Sequence, residues 1–245
     1  MVTSEATPRP GRRLSPHLRG HLFLFDRVPG PAHGDAVGAR LLLTAVFLEG
    51  VRLAALRWLR PAIPLWALLP LLIALALLAV RLGTGLTLSQ IGLRPWREWT
   101  TTERSYFLQV IVIANVVFPV VLAAPLRDRL ARPDAAWTLW SLFVPYLLFG
   151  FYQELVYRGM LQLELTRRWG AFAGIVVANA LYTFGPLHSH YFASRASLAV
   201  PMFAAIFAIG LVFGVLFRRS GNLWIVAIMH AIGNSYIVGS LEAGR

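Results

Sequence analysis

Seven polar or ionisable residues stand inside otherwise apolar stretches of the C-terminal half: Gln153, Glu154, Arg158, Asn179, His188, His230 and Asn234. In hydrocarbon such groups are functional by default, each with a partner to be found. Glu154 and Arg158 lie in FYQELVYRGM, just after the run LWSLFVPYLLFG. At i and i+4 they share a helix face, about 6 Å apart, and the guanidinium favours an ionised carboxylate. His230 and Asn234, in IVAIMHAIGN, repeat that spacing and set an imidazole and an amide on one face. An imidazole can orient water or move protons; an amide N–H can donate to an oxyanion. His188, in FGPLHSH, follows a helix end near Pro186, and His190 two residues on reads as interfacial. Taken singly, each pair also has a structural reading: an ion pair for Glu154–Arg158, and helix-packing hydrogen bonds worth about 0.6–2 kcal/mol for His230–Asn234. Taken together, they supply a base for water, imidazoles and an oxyanion donor, which is what peptide-bond hydrolysis needs.

The elements that must position these groups are membrane helices. The 245 residues are 57% hydrophobic, with mean hydropathy +0.63, above the apolar share of ordinary soluble domains. Runs long enough to span a bilayer fall at about 39–59, 63–82, 105–125, 137–163, 171–187, 199–217 and 223–241. The fold class expected is therefore an all-α polytopic membrane protein of about seven spans, with a polar cavity in the C-terminal helices. Residues 1–36, rich in Pro, Gly and Arg, read as a largely flexible tail in which HLFLFDRV at 21–28 could lie on the membrane surface. Residues 37–135 read as N-terminal spans with an interfacial loop, and 136–245 as the core that carries the chemistry.

The net charge of +12 does not indicate a nucleic-acid partner. All 23 basic residues are arginine, and they collect at the ends of the apolar runs. With the N-terminus inside, fourteen fall on the inner side and seven on the outer, which favours N-in, C-out. The chain has no cysteine, which excludes disulfides, thiol catalysis and cysteine metal sites. Arginine in place of lysine throughout suggests a GC-rich bacterial genome, and hence a bacterial inner membrane. Thr100 with Glu103 looks like a capping box for the third span, and Ser220 or Asn222 like a cap for the last.

Residues 140–238 resemble the CPBP group of intramembrane endopeptidases, which includes the CAAX prenyl proteases and bacterial Abi-type proteins. The family's Glu-Glu-x-x-x-Arg motif is matched by QELVYR, Gln153 to Arg158. Its Phe-x-x-x-His is matched by Phe184 and His188, and its His-x-x-x-Asn by His230 and Asn234. The resemblance implies a glutamic-type protease without a cofactor, acting on a membrane-anchored protein or peptide in the bilayer. Glu154, Arg158, His188, His230 and Asn234 take the family's site positions. Gln153 stands where the family has the glutamate that activates water, and an amide cannot act as a general base. Three explanations stay open: an engineered Glu→Gln change, a natural enzyme in which Glu154 takes over as base, or a silent membrane-embedded binding or immunity protein. Zinc held by His188, His230 and Glu154 is the runner-up mechanism, although HExxH is absent. A proton-relay transporter ranks below both, because no inverted repeat is visible. Candidate roles include cleavage of a C-terminal membrane anchor, and bacteriocin maturation or immunity. One tension accompanies this reading: simple alternation puts His188 at the outer end of its span, about 10 Å from the depth of Glu154 and His230.

Overall fold

A chain in hydrocarbon must satisfy its backbone internally, so long apolar runs fold as helices. The computed structural model of the protein describes residues 33–186, 188 and 199–241. Among these, the regular structure is helical throughout. The tail before residue 33, with its HLFLFDRV patch, and His190 lie outside the described residues. Helix α1, Asp35–Ala54, continues as a wider-wound π segment, Ala55–Leu59. It starts four residues before the apolar run does, so the last two residues assigned to the tail are helical. Then come α2, Leu65–Thr84, α3, Thr101–Val121, and α4, Ala123–Leu130. The stretch LRDRLARPDA at 126–135 reads from its polarity as an outer loop; as far as Leu130 it is part of this short helix instead. Helix α5, Ala135–Glu154, runs into a second π segment, Leu155–Gln162, and then into α6, Leu163–Phe184. Helices α7, Ala199–Ser220, and α8, Leu223–Leu241, complete the bundle.

Gly170 breaks α6 with φ 82° and ψ 170°. Four residues on, Gly174 lies so close to the backbone of Thr166 that no Cβ would fit. The chain therefore turns back on itself, and the run from Ala135 to Phe184 makes two passes, giving seven long helical passes among the described residues. The stretches Leu65–Thr84, Thr101–Val121, Ala135–Phe184 and Ala199–Ser220 are long and apolar enough to cross a bilayer, and Leu223–Val238 is a shorter apolar stretch. Along α3, Leu108, Val112, Val116 and Val120 are all exposed, a stripe at helical spacing facing outward. In water such a stripe would be an aggregation surface; here it is the lipid face of an all-α polytopic membrane protein.

The core joins α1 and α2 to the second π segment through Leu41, Leu48, Leu69, Leu72, Leu155 and Met160, all fully or almost fully buried. Tyr152 is pinned there, its hydroxyl donating to the Leu48 carbonyl at 2.9 Å. Helices α5 and α8 approach closely at Gly150, where a Cβ would stand 2.7 Å from Ala231 Cα. The start of α8 is fixed from two directions. Asn222 caps it, its Oδ1 accepting from the Trp224 N–H at 3.2 Å, and the Leu223 N–H donates to the Gly92 carbonyl at 2.9 Å. Gly92 needs to be glycine, because its φ is +95° and a Cβ would meet the Phe217 ring. Thr100 and Glu103 form the expected capping box on α3.

Glu164, at the turn that ends the fourth pass, gathers a charged cluster. Its carboxylate accepts from Arg167 at 2.7 and 2.8 Å, from Arg168, and from the His33 ring at 2.9 Å. Arg167 also reaches Asp35 at 2.7 Å, tying α1 to this turn. Burial alone would raise the Glu164 pKa, but the hydrogen bonds from Arg167, Arg168 and His33 outweigh it and hold the carboxyl down at about 2. A carboxyl lowered by folding stabilises the fold above its ordinary value of 4.5, and that contribution is lost as pH falls toward about 2. Thermal unfolding in detergent is expected to show a stability loss across this window that Glu164→Gln largely removes. A second expectation concerns helix packing. Gly150→Ala should cost about 1–3 kcal/mol by forcing α5 from α8. Gly233→Ala, with nothing within 4 Å of its Cβ, should be neutral or slightly stabilising. Unfolding midpoints of the two variants check this.

Candidate active site

Glu154 is the last α-helical residue before the π segment, in which every residue from Leu155 to Gln162 is buried. Such widened turns often occur at functional sites, because they re-aim side chains without breaking the helix. Gln153 and Glu154 point about 100° apart, yet both reach α8, one to each of two successive turns. Glu154 Oε1 lies 2.6 Å from His230 Nδ1. One turn further along α8, the Asn234 amide N–H donates to Gln153 Oε1 at 3.1 Å. An amide carries two N–H bonds, so Asn234 keeps a second donor. With its oxygen turned to Asn234, Gln153 presents its own NH2 as a donor. Gln153 is 3% exposed and Glu154 fully buried.

The buried charge of Glu154 is matched by Arg158, whose Nε lies 3.4 Å from Oε2. The guanidinium also donates to the Gly210 carbonyl at 3.2 Å and the Asn179 Oδ1 at 3.4 Å. Its carbon stands 4.5 Å over the Tyr182 ring, in cation–π range. One turn on, Gln162 donates to the Gly214 carbonyl at 2.8 Å, and Asn179 donates to the Phe207 carbonyl at 2.8 Å. Only glycine allows these side chains so close to α7: a Cβ on Gly210 would collide with Asn179, and one on Gly214 would lie 2.9 Å from Gln162 Oε1.

The depth mismatch at His188 is absorbed by the length of the fifth pass. After the break at Gly170, α6 runs only to Phe184, about 20 Å, so it ends inside the bundle. The chain then bends back at Gly185, and the His188 backbone N–H donates to the Gly185 carbonyl. His188 Nδ1 sits 2.9 Å from the Tyr182 carbonyl, and the two rings meet edge-on at 4.8 Å. Tyr182 is the residue that sequence reasoning missed. Its hydroxyl lies 3.1 Å from His230 Nε2, so it bridges to the second histidine as well. The signal available was weak: a buried tyrosine needs a partner for its hydroxyl, and Tyr182 follows Asn179 at i+3. The Gly210-x-x-x-Gly214 spacing was a second readable sign of close helix approach.

Residues 135–236, somewhat under half of the chain, match the family model described as Type II CAAX prenyl endopeptidase Rce1-like. That stretch, which carries the whole site, is similar to the CAAX-type proteases. No curated protein and no solved structure matches it significantly. The CPBP motifs thus fall on three elements that meet: Gln153, Glu154 and Arg158 at the α5–π junction, His188 after α6, and His230 with Asn234 on α8. Phe184 of the second motif turns away, 61% exposed and packed on Phe203 and Phe207.

The zinc set of His188, His230 and Glu154 does not fit as arranged. Both ring nitrogens of His230 are engaged, by Glu154 and by Tyr182, and His188 Nδ1 faces a backbone carbonyl. Among the described residues, no group of three His, Asp or Glu is disposed to hold a metal ion. Removing one partner of a buried ion pair leaves the other uncompensated, at about 3–5 kcal/mol. Glu154→Ala is therefore expected to lower the unfolding midpoint strongly, and Glu154→Gln, which keeps an acceptor for His230, distinctly less. Thermal unfolding of both variants measures the difference.

Proposed function

We propose that this CAAX-type protein is a glutamic-type intramembrane endopeptidase. It hydrolyses a peptide bond near the membrane in a membrane-associated or C-terminally anchored protein of a bacterial inner membrane. The observation that carries the reading is the buried Glu154–His230 contact at 2.6 Å, set beside the Gln153–Asn234 amide pair. A carboxylate and an imidazole so joined serve water activation, and amide N–H groups one helical turn away serve a tetrahedral oxyanion. In this reading Glu154 is the required carboxylate and Arg158 offsets its charge. His188 and His230 orient the water and the scissile carbonyl, and Asn234 donates to the oxyanion. No metal or cofactor enters the reaction.

A second reading, a silent binding or immunity protein of the same fold, is favoured by Gln153 itself. Its amide occupies the position the family reserves for a base, and it ties up one donor of Asn234. The two readings separate in membranes on a tail-anchored reporter, with the chain as it stands, Gln153→Glu, Glu154→Gln and His230→Ala. The peptidase reading expects cleavage by the chain as it stands, lost by about 10²-fold or more in Glu154→Gln and His230→Ala. Cleavage gained only on Gln153→Glu, or reporter binding without product in every form, is what the second reading expects.

A further inference from the structure

Tyr182 touches every charged or titratable side chain of the site apart from Glu154. Its hydroxyl lies on His230 Nε2, its carbonyl on His188 Nδ1, its ring edge on both imidazoles and its ring face under Arg158. On the far side of His230, Glu154 accepts at Nδ1. An ionised carboxylate can only accept, so Nδ1 carries the proton, Nε2 is a lone pair, and the phenol O–H donates to it. The result is a carboxylate–imidazole–hydroxyl chain, with the tautomer fixed by the carboxylate as in hydrolytic triads. Glu154 has little freedom to take a proton from water directly: Oε1 faces His230 and Oε2 faces Arg158 at 3.4 Å. With an amide at 153, the lone pair at His230 Nε2 is the basic atom that this geometry exposes to an exchangeable partner.

We propose that in this chain His230 is the general base, with Glu154 acting through it, and that Tyr182 is a positioning residue that holds Nε2 until water takes its place. The proposal rests on the peptidase reading above. In the step itself, water oxygen bonds to the scissile carbonyl carbon while one water proton passes to Nε2 and the carbonyl pair moves onto oxygen. The Gln153 and Asn234 amides face that oxyanion. The imidazolium then gives its Nε2 proton to the departing amide nitrogen as the C–N bond breaks. The products are a carboxylic acid and an amine, and His230 is neutral again. No oxidant, metal or second nucleophile is needed.

The test uses the full chain in nanodiscs with 15N-histidine labelling, His230 being assigned by loss of its signals in His230→Asn. The expected result is an Nδ1–H tautomer at His230 with Nε2 as acceptor. In Tyr182→Phe the Nδ1–H signal should persist while the Nε2 resonance moves toward that of an unbonded acceptor. In Glu154→Gln the tautomer preference should be lost. On the reporter, Tyr182→Phe should displace the acidic limb of the pH–rate profile, a change that a purely structural tyrosine would not produce. An Nε2–H tautomer in the unaltered chain, or an Nε2 resonance and pH profile untouched by Tyr182→Phe, would overturn the proposal. The expected spectra without any cleavage would instead overturn the peptidase reading, and with it the base role of His230.

Discussion

A carboxylate and a guanidinium buried among packed helices constrain everything around them. Glu154 and Arg158 offset each other's charge, but neither is satisfied by the other alone, because each has more hydrogen-bonding capacity than one contact uses. The remaining capacity recruits His230 from α8, Asn179 from α6 and a backbone carbonyl from α7. Three helices are thus bound to one turn of a fourth. The tight Gly150–Ala231 approach and the Gly170 reversal can be read as what the backbone must do to bring those partners within reach. The same interior also explains the π segment, since a widened turn directly after Glu154 lets Arg158 face α6 and α7 while Glu154 faces α8.

Much of this architecture is legible in the residues themselves. Apolar run length marks the passes, because a hydrocarbon environment leaves the backbone no alternative to a helix, and 223–241 coincides with α8. Local chemistry marks the ends: Thr100 with Glu103, and Asn222 ahead of Leu223, signal caps through short-range hydrogen bonds that need no tertiary information. The His230-x-x-x-Asn234 and Glu154-x-x-x-Arg158 spacings mark faces for the same reason. What stays hidden is whatever depends on two segments at once. The sequence gives no sign that α6 ends short within the bundle, since the break at Gly170 acts through its packing on Thr166. Nor does it show which of two adjacent residues, Gln153 and Glu154, finds the histidine. Tyr182 was passed over because an aromatic residue on a helix face reads as core until its hydroxyl is seen to have a partner.

The division of labour between positions 153 and 154 bears on how a hydrolytic site can tolerate a changed residue. A glutamine can fill the space of a glutamate and keep one acceptor, so the Asn234 contact and the packing of α5 on α8 are maintained. It loses the ability to take a proton and gains two donors. On the proposed reading such a site is poorer in base and richer in electrophilic assistance, and the demand for a proton acceptor falls on the imidazole next door.

The contacts of Arg158 and Gln162 with α7 have one more implication. Backbone carbonyls occur at every residue, so they cannot by themselves tell one vertical alignment of neighbouring helices from the next. The glycines can. If α7 slid by one turn, about 5.4 Å, one of the two side chains would still meet a glycine. The other would meet Ile206 or Arg218, depending on direction. The pair of glycines thus works like the cuts of a key: it admits a single seating depth for α7.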